Sequence, residues 1–225
     1  MIAQAGGEVV WSWEFAAEIL PQLLVALRVT FQATVLGSAL AITLGLVLAV
    51  LRRSDSRAVS LPVGGFIEFI RSTPLLVQLY FLFFVLPQFG LTLSGMTAGV
   101  LGLGVHYATY TSEVYRAGIE GVPKGQWEAA TALNLSNRRT WTGVVLPQAI
   151  PKVVPALGNY VVAMFKETPL LAAITVIEMF GQAERIASRT FRTVEAYTLV
   201  GLLFLLLSYP CVLLLRRLEA RLAPR

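Results

Sequence analysis

The sequence predicts an all-α integral membrane protein with five membrane-crossing segments and one polar insert on the cytoplasmic side. Three observations carry this. Of 225 residues, 56% are hydrophobic and only 14% charged, where soluble domains carry roughly 25% charged residues. The mean hydropathy is +0.70, and the apolar residues fall in long runs. The basic residues sit in short loops between those runs, so the net charge of +5 fits membrane orientation rather than nucleic-acid binding.

A span needs about 20 apolar residues. Runs that meet this lie at Leu23–Leu51, Leu61–Leu86, Met96–Tyr115, Val153–Ile177 and Ala196–Leu215. Arg52, Arg53 and Arg57 follow the first run. Arg116, Lys124, Arg138, Arg139 and Lys152 follow the third, and Arg216, Arg217, Arg221 and Arg225 the fifth. Residues 1–22 and the loop Pro87–Gly95 hold no Lys or Arg. The positive-inside rule then places the N-terminus outside and the C-terminus inside. Arg185, Arg189 and Arg192 oppose this, lying on the outer side among Glu178, Glu184 and Glu195; a short amphipathic surface helix accounts for the mixture. The N-terminus has no basic residue ahead of an apolar core and does not read as a cleaved signal peptide. Cys211, the single cysteine, lies in an apolar run and reads as a small buried hydrophobe.

The first run carries Ala33, Gly37, Ala41, Gly45 and Ala49 at a spacing of four. Such a stripe lets helix backbones approach in lipid, where apolar burial alone does not drive association. Gly95, Gly99, Gly102 and Gly104 offer the same on the third. His106 and Tyr110 share a face there, but with no second histidine a zinc site has no ligands.

The second and fourth runs contain charges and a proline in matching places. Arg71-Ser-Thr73-Pro74-Leu-Leu and Lys166-Glu167-Thr168-Pro169-Leu-Leu share the pattern cation-x-Thr-Pro-Leu-Leu. A charge at mid-helix costs about 2.5–3.5 kcal/mol on insertion scales. Proline removes a backbone donor, and lipid cannot satisfy the carbonyl it frees. These positions must therefore face protein or a water-filled cavity. Broken helices in corresponding places point to a translocation path. The competing reading is internal ion pairing: Glu68 and Arg71 are three apart, and Lys166 has to find a carboxylate elsewhere.

Between the third and fourth runs lies a polar insert, residues 123–147. Pro123 suits a helix start, followed by Gln126, Trp127, Glu128, Ala129, Ala130 and Leu133. Glu128 stands near the positive end of that helix. The two alanines allow a partner surface to come close, and Trp127 and Leu133 offer apolar anchors. Asn134 suits a left-handed turn, and an Arg-rich short helix begins at Leu135. Read alone, the segment is equally an amphipathic hairpin lying on the membrane.

Its residues resemble the EAA signature of permeases of ABC importers: Glu128-Ala129-Ala130, a turn residue at Asn134 where glycine is usual, then Leu146-Pro147. Glu68-Phe-Ile-Arg-Ser-Thr-Pro-Leu-Leu-Val-Gln78, Tyr110-Thr-Ser-Glu-Val-Tyr-Arg-Ala-Gly118 and Phe165-Lys-Glu-Thr-Pro-Leu170 extend the likeness to the polar amino acid branch of type I importers. The stretch His106–Glu120 further resembles ectoine and hydroxyectoine permeases. The resemblance implies a type I permease domain over 23–218, flanked by an outer segment 1–22 and a cytoplasmic tail 219–225, in the bacterial inner membrane. It implies that the insert is a coupling helix docking on an ATPase dimer. It further implies a periplasmic or lipid-anchored solute-binding protein and a second permease subunit, identical or related. No P-loop is present, so ATP and Mg belong to the partner, and no catalytic motif of a hydrolase is visible. A stand-alone secondary transporter or channel, and a non-transporting assembly subunit, are the competing classes.

Overall fold

The computed structural model describes residues 11–222. Nine α-helices are named here: α1 (Trp13–Arg52), α2 (Arg57–Arg71), α3 (Leu75–Tyr80), α4 (Gly95–Glu120), α5 (Lys124–Ala132), α6 (Asn137–Thr140), α7 (Leu146–Glu167), α8 (Met179–Thr190) and α9 (Thr193–Leu222). Helical turns of π and 3-10 type, Phe81–Val85 and Leu86–Phe89, continue α3, and a 3-10 stretch, Thr168–Ile174, continues α7. The outer segment expected at 1–22 is described only from residue 11, and α1 begins within it at Trp13. Residues 223–225 of the expected tail also lie outside the described residues.

α4 is the hub. Its glycines are where neighbours come closest: a Cβ on Gly104 would meet Leu40 of α1 at 2.5 Å, one on Gly102 would meet Leu79 of α3 at 2.5 Å, and one on Gly99 would meet Leu171 at 2.8 Å. The small-residue stripe of α1 is buried along its whole length. Gly45 faces Thr111, whose hydroxyl donates to the Ala41 carbonyl at 2.8 Å, and the Tyr115 hydroxyl donates to the Ile42 carbonyl at 3.2 Å. Backbone contact thus substitutes for side-chain volume, as it must where apolar burial contributes little. Residue pairings fix directions. α1 and α4 run parallel, with Leu40 at Gly104 and Gly45 at Thr111. α3 runs against them, with Gln78 at His106 and Leu79 at Gly102. α9 runs against α7, with Phe204 on Phe165 and Leu215 on Gly158.

The second run, Leu61–Leu86, is broken at its proline as the sequence predicts, and sharply bent. α2 and the α3 segment meet at 102°, because Pro74 cannot continue α2 and begins a new helix instead. α1 and α9 are long and apolar enough to cross a membrane, and the two bent pairs Arg57–Arg71 with Leu75–Phe89 and Asn137–Ile174 with Met179–Thr190 raise the number to four. α4 is long enough at 26 residues, about 39 Å, but its His, Tyr, Thr and Ser residues dilute its apolar character. The expected amphipathic helix is α8, which buries Met179, Ala183, Ile186 and Ala187 and exposes Glu184, Arg185 and Arg189. Two buried carboxylates hold this end. Glu178 caps α8 by accepting from Gly181 N at 2.7 Å and Phe180 N at 2.9 Å, and it accepts from the Thr30 hydroxyl of α1 at 3.4 Å. Glu195 accepts from Ser12 N at 3.0 Å and pairs with Arg192. Cys211 is exposed, contrary to the expected burial, because α9 buries only Glu195, Ala196 and Val200.

A Cβ on Gly45 would lie 2.0 Å from Thr111 Oγ1, whereas one on Gly65 meets nothing within 4 Å. Gly45→Leu is therefore expected to cost about 3 kcal/mol or more and to lower the melting temperature of the detergent-purified protein sharply. Gly65→Ala should leave it unchanged or slightly raised.

Candidate translocation and coupling sites

The two Thr–Pro breaks have one chemistry. In an unbroken helix the amide at position 74 would donate to the Ile70 carbonyl; Pro74 has none. The Thr73 hydroxyl donates to Ile70 O instead, at 3.0 Å. At the second break Pro169 deprives the Phe165 carbonyl in the same way, and the Thr168 hydroxyl donates there at 2.8 Å. The first break has a further clamp. Gln78 Nε2 lies 2.8 Å from Ile70 O, 3.0 Å from Thr73 O and 2.8 Å from Thr73 Oγ1. The breaks meet through Leu75, Leu79, Leu171 and Ile174 in one core.

Around them the expected pathway residues divide. Arg71 pairs with Glu68 at 3.7 Å, as the spacing predicts, but both are partly exposed, and such pairs contribute little. Its guanidinium also lies over the Tyr110 ring at 5.3 Å. Lys166 is exposed and has no carboxylate partner among the described residues. Thr168 is buried, Thr73 and Pro169 are half-buried, and Pro74 is exposed. Glu167 turns inward, with Oε2 buried and without a hydrogen-bond partner among the described residues. The carboxylate hydrogen-bonds with the Tyr107 hydroxyl and lies within electrostatic reach of His106. His106, Tyr107, Tyr110 and Tyr160 form a ring cluster with centroids 5.3 Å apart for His106 and Tyr110, 5.7 Å for Tyr110 and Tyr160, and 6.0 Å for Tyr107 and Tyr160. Sequence reasoning missed Tyr160, Gln78 and Asn159. Lys152, Asn159 and Lys166 are all exposed on α7, and their spacing of seven, two helical turns, is a signal that was available.

The insert forms α5, a turn and α6. Pro123 caps α5, and Asn134 takes φ 49°, the left-handed conformation the sequence predicts. Leu135 N donates to Ala130 O at 3.0 Å and closes the helix. The expected anchors are rearranged. Trp127 packs on Trp141 edge-on, centroids 5.4 Å apart, beside Val122, Val145 and Ala149. Ala130 is 2% exposed within this same chain, so its small side chain serves internal packing rather than the approach of a partner. Glu128, Ala129 and Leu133 face outward, Leu133 at 72% exposure. Gln126 receives a bond from Gln148 at 3.2 Å. Arg53, at the end of α1, lies 5.9 Å over Trp141.

Residues 41–224 match the family described as binding-protein-dependent transport system inner membrane component. Over 211 residues the chain is 46% identical to y4tG, a probable amino-acid ABC transporter permease protein of Sinorhizobium fredii, covering 94% of this chain and 91% of that one. It is 33% identical over 195 residues to TcyB, the L-cystine transport system permease protein of Bacillus subtilis, covering 84% and 83%. An amino acid ABC transporter whose crystal structure was solved with histidines superposes with a TM-score of 0.89 at 32% identity, covering 94% of this chain and 99% of that one. These likenesses define the class: an ABC transporter permease. This chain belongs to the family of binding-protein-dependent transport inner membrane components and carries no ATPase domain of its own.

Removing the Gln78 clamp takes the side-chain donor from Thr73 O, while Ile70 O keeps the Thr73 hydroxyl; an unsatisfied buried group costs about 1–3 kcal/mol. Gln78→Leu is expected to lower the melting temperature and to speed amide exchange in residues 70–80 selectively. Unchanged exchange there would dismiss the clamp.

Proposed function

We propose that this chain is the translocating subunit of an importer for a polar amino acid or an amino-acid-like solute, working with an ATPase dimer, an external solute-binding protein and a second permease subunit in the bacterial inner membrane. The observation that carries the transport role is the pair of matched Thr–Pro breaks. Arg71, Glu68, Lys166 and Glu167 flank these breaks, where Thr73, Thr168 and Gln78 supply donors to the backbone. Charged groups exposed on the surface of a membrane helix require water or a partner subunit opposite them. The α7 stripe of Lys152, Asn159 and Lys166 supplies such a surface from the coupling end to the second break. The amino-acid class is supported by the names of the relatives, permeases for amino acids and L-cystine among them. The narrower ectoine or hydroxyectoine reading rests on the His106–Glu120 stretch alone.

The proposed topology has five crossings with the N-terminus outside. The fold supports it: the ends of α1 and α4 and the start of α7 gather at the insert, while the starts of α1 and α9 gather at α8. Coupling is assigned to the outward face of α5, Glu128, Ala129 and Leu133, with Gln126, Trp127, Ala130 and Asn134 shaping it from within.

Three outcomes test this. On a Cys211→Ser background, Phe89→Cys should label from outside and Arg138→Cys only from inside; the reverse would invert the topology. Glu128→Arg and Leu133→Asp should leave the amount of permease unchanged and abolish ATPase association or cut uptake about tenfold. Ala130→Trp should instead lower the amount of folded permease, because the volume it needs is already filled. Normal uptake with the ATPase bound in both outward-facing variants would remove α5 from coupling.

A further inference from the structure

We propose that the groove between α1 and α8 binds a phospholipid of the ethanolamine type, with its phosphate on Arg185 and Arg189, its ammonium on Glu18 and one acyl chain along Val25, Val29 and Ile177. The site goes beyond the importer reading and does not depend on it.

Two cavities join end to end along the first turns of α1. The one nearer the start of α1 has about 200 Å³, and Glu18, Gln22, Gln182, Arg185 and Arg189 line it. The next has about 380 Å³, lined by Gln22, Val25, Ala26, Val29, Ile177 and Gln182. Gln22 and Gln182 belong to both, and Gln182 Nε2 donates to Gln22 Oε1 across the groove at 3.2 Å. Each space is several times that of a water, about 30 Å³. Sequence spacing builds the walls. Glu18, Gln22, Val25, Ala26 and Val29 recur at threes and fours on one face of α1, as do Gln182, Arg185 and Arg189 on α8, with Ile177 just ahead of it. Both walls change from polar to apolar at the level of the Gln22–Gln182 bond. That register is the one a boundary between head groups and hydrocarbon demands. Val29 lies about 10 Å past the boundary along α1.

The charges of the polar half are open to a ligand. Glu18, Arg185 and Arg189 are exposed and form no ion pair among the described residues. Nearby Arg192 is engaged by Glu195 and lies over the Phe15 ring at 4.7 Å. Glu184 and Arg28 do not line the groove; Arg28 stands about 120° round α1 from Gln22. Two guanidiniums on successive turns of α8 suit a phosphodiester, which accepts forked pairs of N–H bonds. Glu18 selects among phospholipids. It repels a head group that is only anionic and accepts from a primary ammonium. The apolar half separates a lipid from the acidic side chain of a soluble partner. Val25 is 62% and Ile177 43% exposed, and an acyl chain continues from the phosphate onto them.

The test offers the permease–ATPase complex, stripped of lipid in detergent, the dioleoyl forms of phosphatidylethanolamine, phosphatidylcholine and phosphatidylglycerol, and counts bound lipid by native mass spectrometry. The choline lipid differs in a methylated nitrogen that cannot donate, and the glycerol lipid has no cation. Wild type is expected to hold the ethanolamine lipid at least about tenfold more tightly than the other two, the scale of one charge-assisted hydrogen bond. Arg185→Ala combined with Arg189→Ala should lose that affinity. Glu18→Gln should bind the ethanolamine lipid no more tightly than the choline lipid, and Val25→Trp should weaken retention by filling the chain's place. These side chains are exposed, so the lipid-free melting temperature should not change. Equal retention of the three lipids by wild type, unchanged retention by the double arginine variant, or unchanged discrimination by Glu18→Gln would overturn the site. So would loss of association with the external binding protein in the double arginine variant at intact lipid retention, which would assign the arginines to that partner. Uptake by the wild-type system tests the importer reading separately.

Discussion

Two backbone carbonyls, those of Ile70 and Phe165, set the terms for the middle of this protein. Each loses its helical donor to a proline four residues on, in surroundings where water is scarce. The threonine preceding each proline returns a donor. This local repair permits a 102° change of direction after α2 without orphaned polar groups. It also sets Arg71, Lys166 and Glu167 beside the breaks, where a straight helix would have spread its side chains evenly around a cylinder. The glycines of α4 complete the arrangement, since Leu79 and Leu171 reach the hub only where no Cβ stands in the way.

The parts of this architecture legible in the sequence are those whose signal is local. The stripe from Ala33 to Ala49 is an i,i+4 pattern that needs no knowledge of its partner, and it is buried throughout. Asn134 takes the left-handed turn because side-chain chemistry at one position decides it. The repeated Thr–Pro pattern revealed the breaks. It did not reveal the angle, because hydropathy counts apolar residues and is blind to direction. Long-range partnerships were invisible: Gln78 meets His106 across 28 residues, and Thr30 meets Glu178 across 148.

The insert shows a different limit. Trp127, Ala130 and Leu133 lie on one short helix, and composition alone does not say which face turns toward the chain. Trp141 decides it by receiving Trp127 and drawing Ala130 inward. A large aromatic and a small alanine were both read as contacts for a partner; both are internal packing, and the outward residues are Glu128, Ala129 and Leu133. For Cys211, an apolar run implied burial, but a helix surrounded by lipid can be apolar on every side and exposed on most of them.

The contact of Arg53 with Trp141 has a mechanical meaning. From Thr30 to Arg53, α1 contains no proline and forms one continuous helix, about 35 Å long. At one end it touches the packing beneath α5. At the other, Thr30 bonds to Glu178, which caps α8. An uninterrupted helix is stiff along its axis, so these attachments belong to a single lever. Between these ends α1 is held against α4, with Leu40 at Gly104, Gly45 at Thr111 and Ile42 at Tyr115. The packing beneath α5 and the cap of α8 are thus joined by one continuous helix.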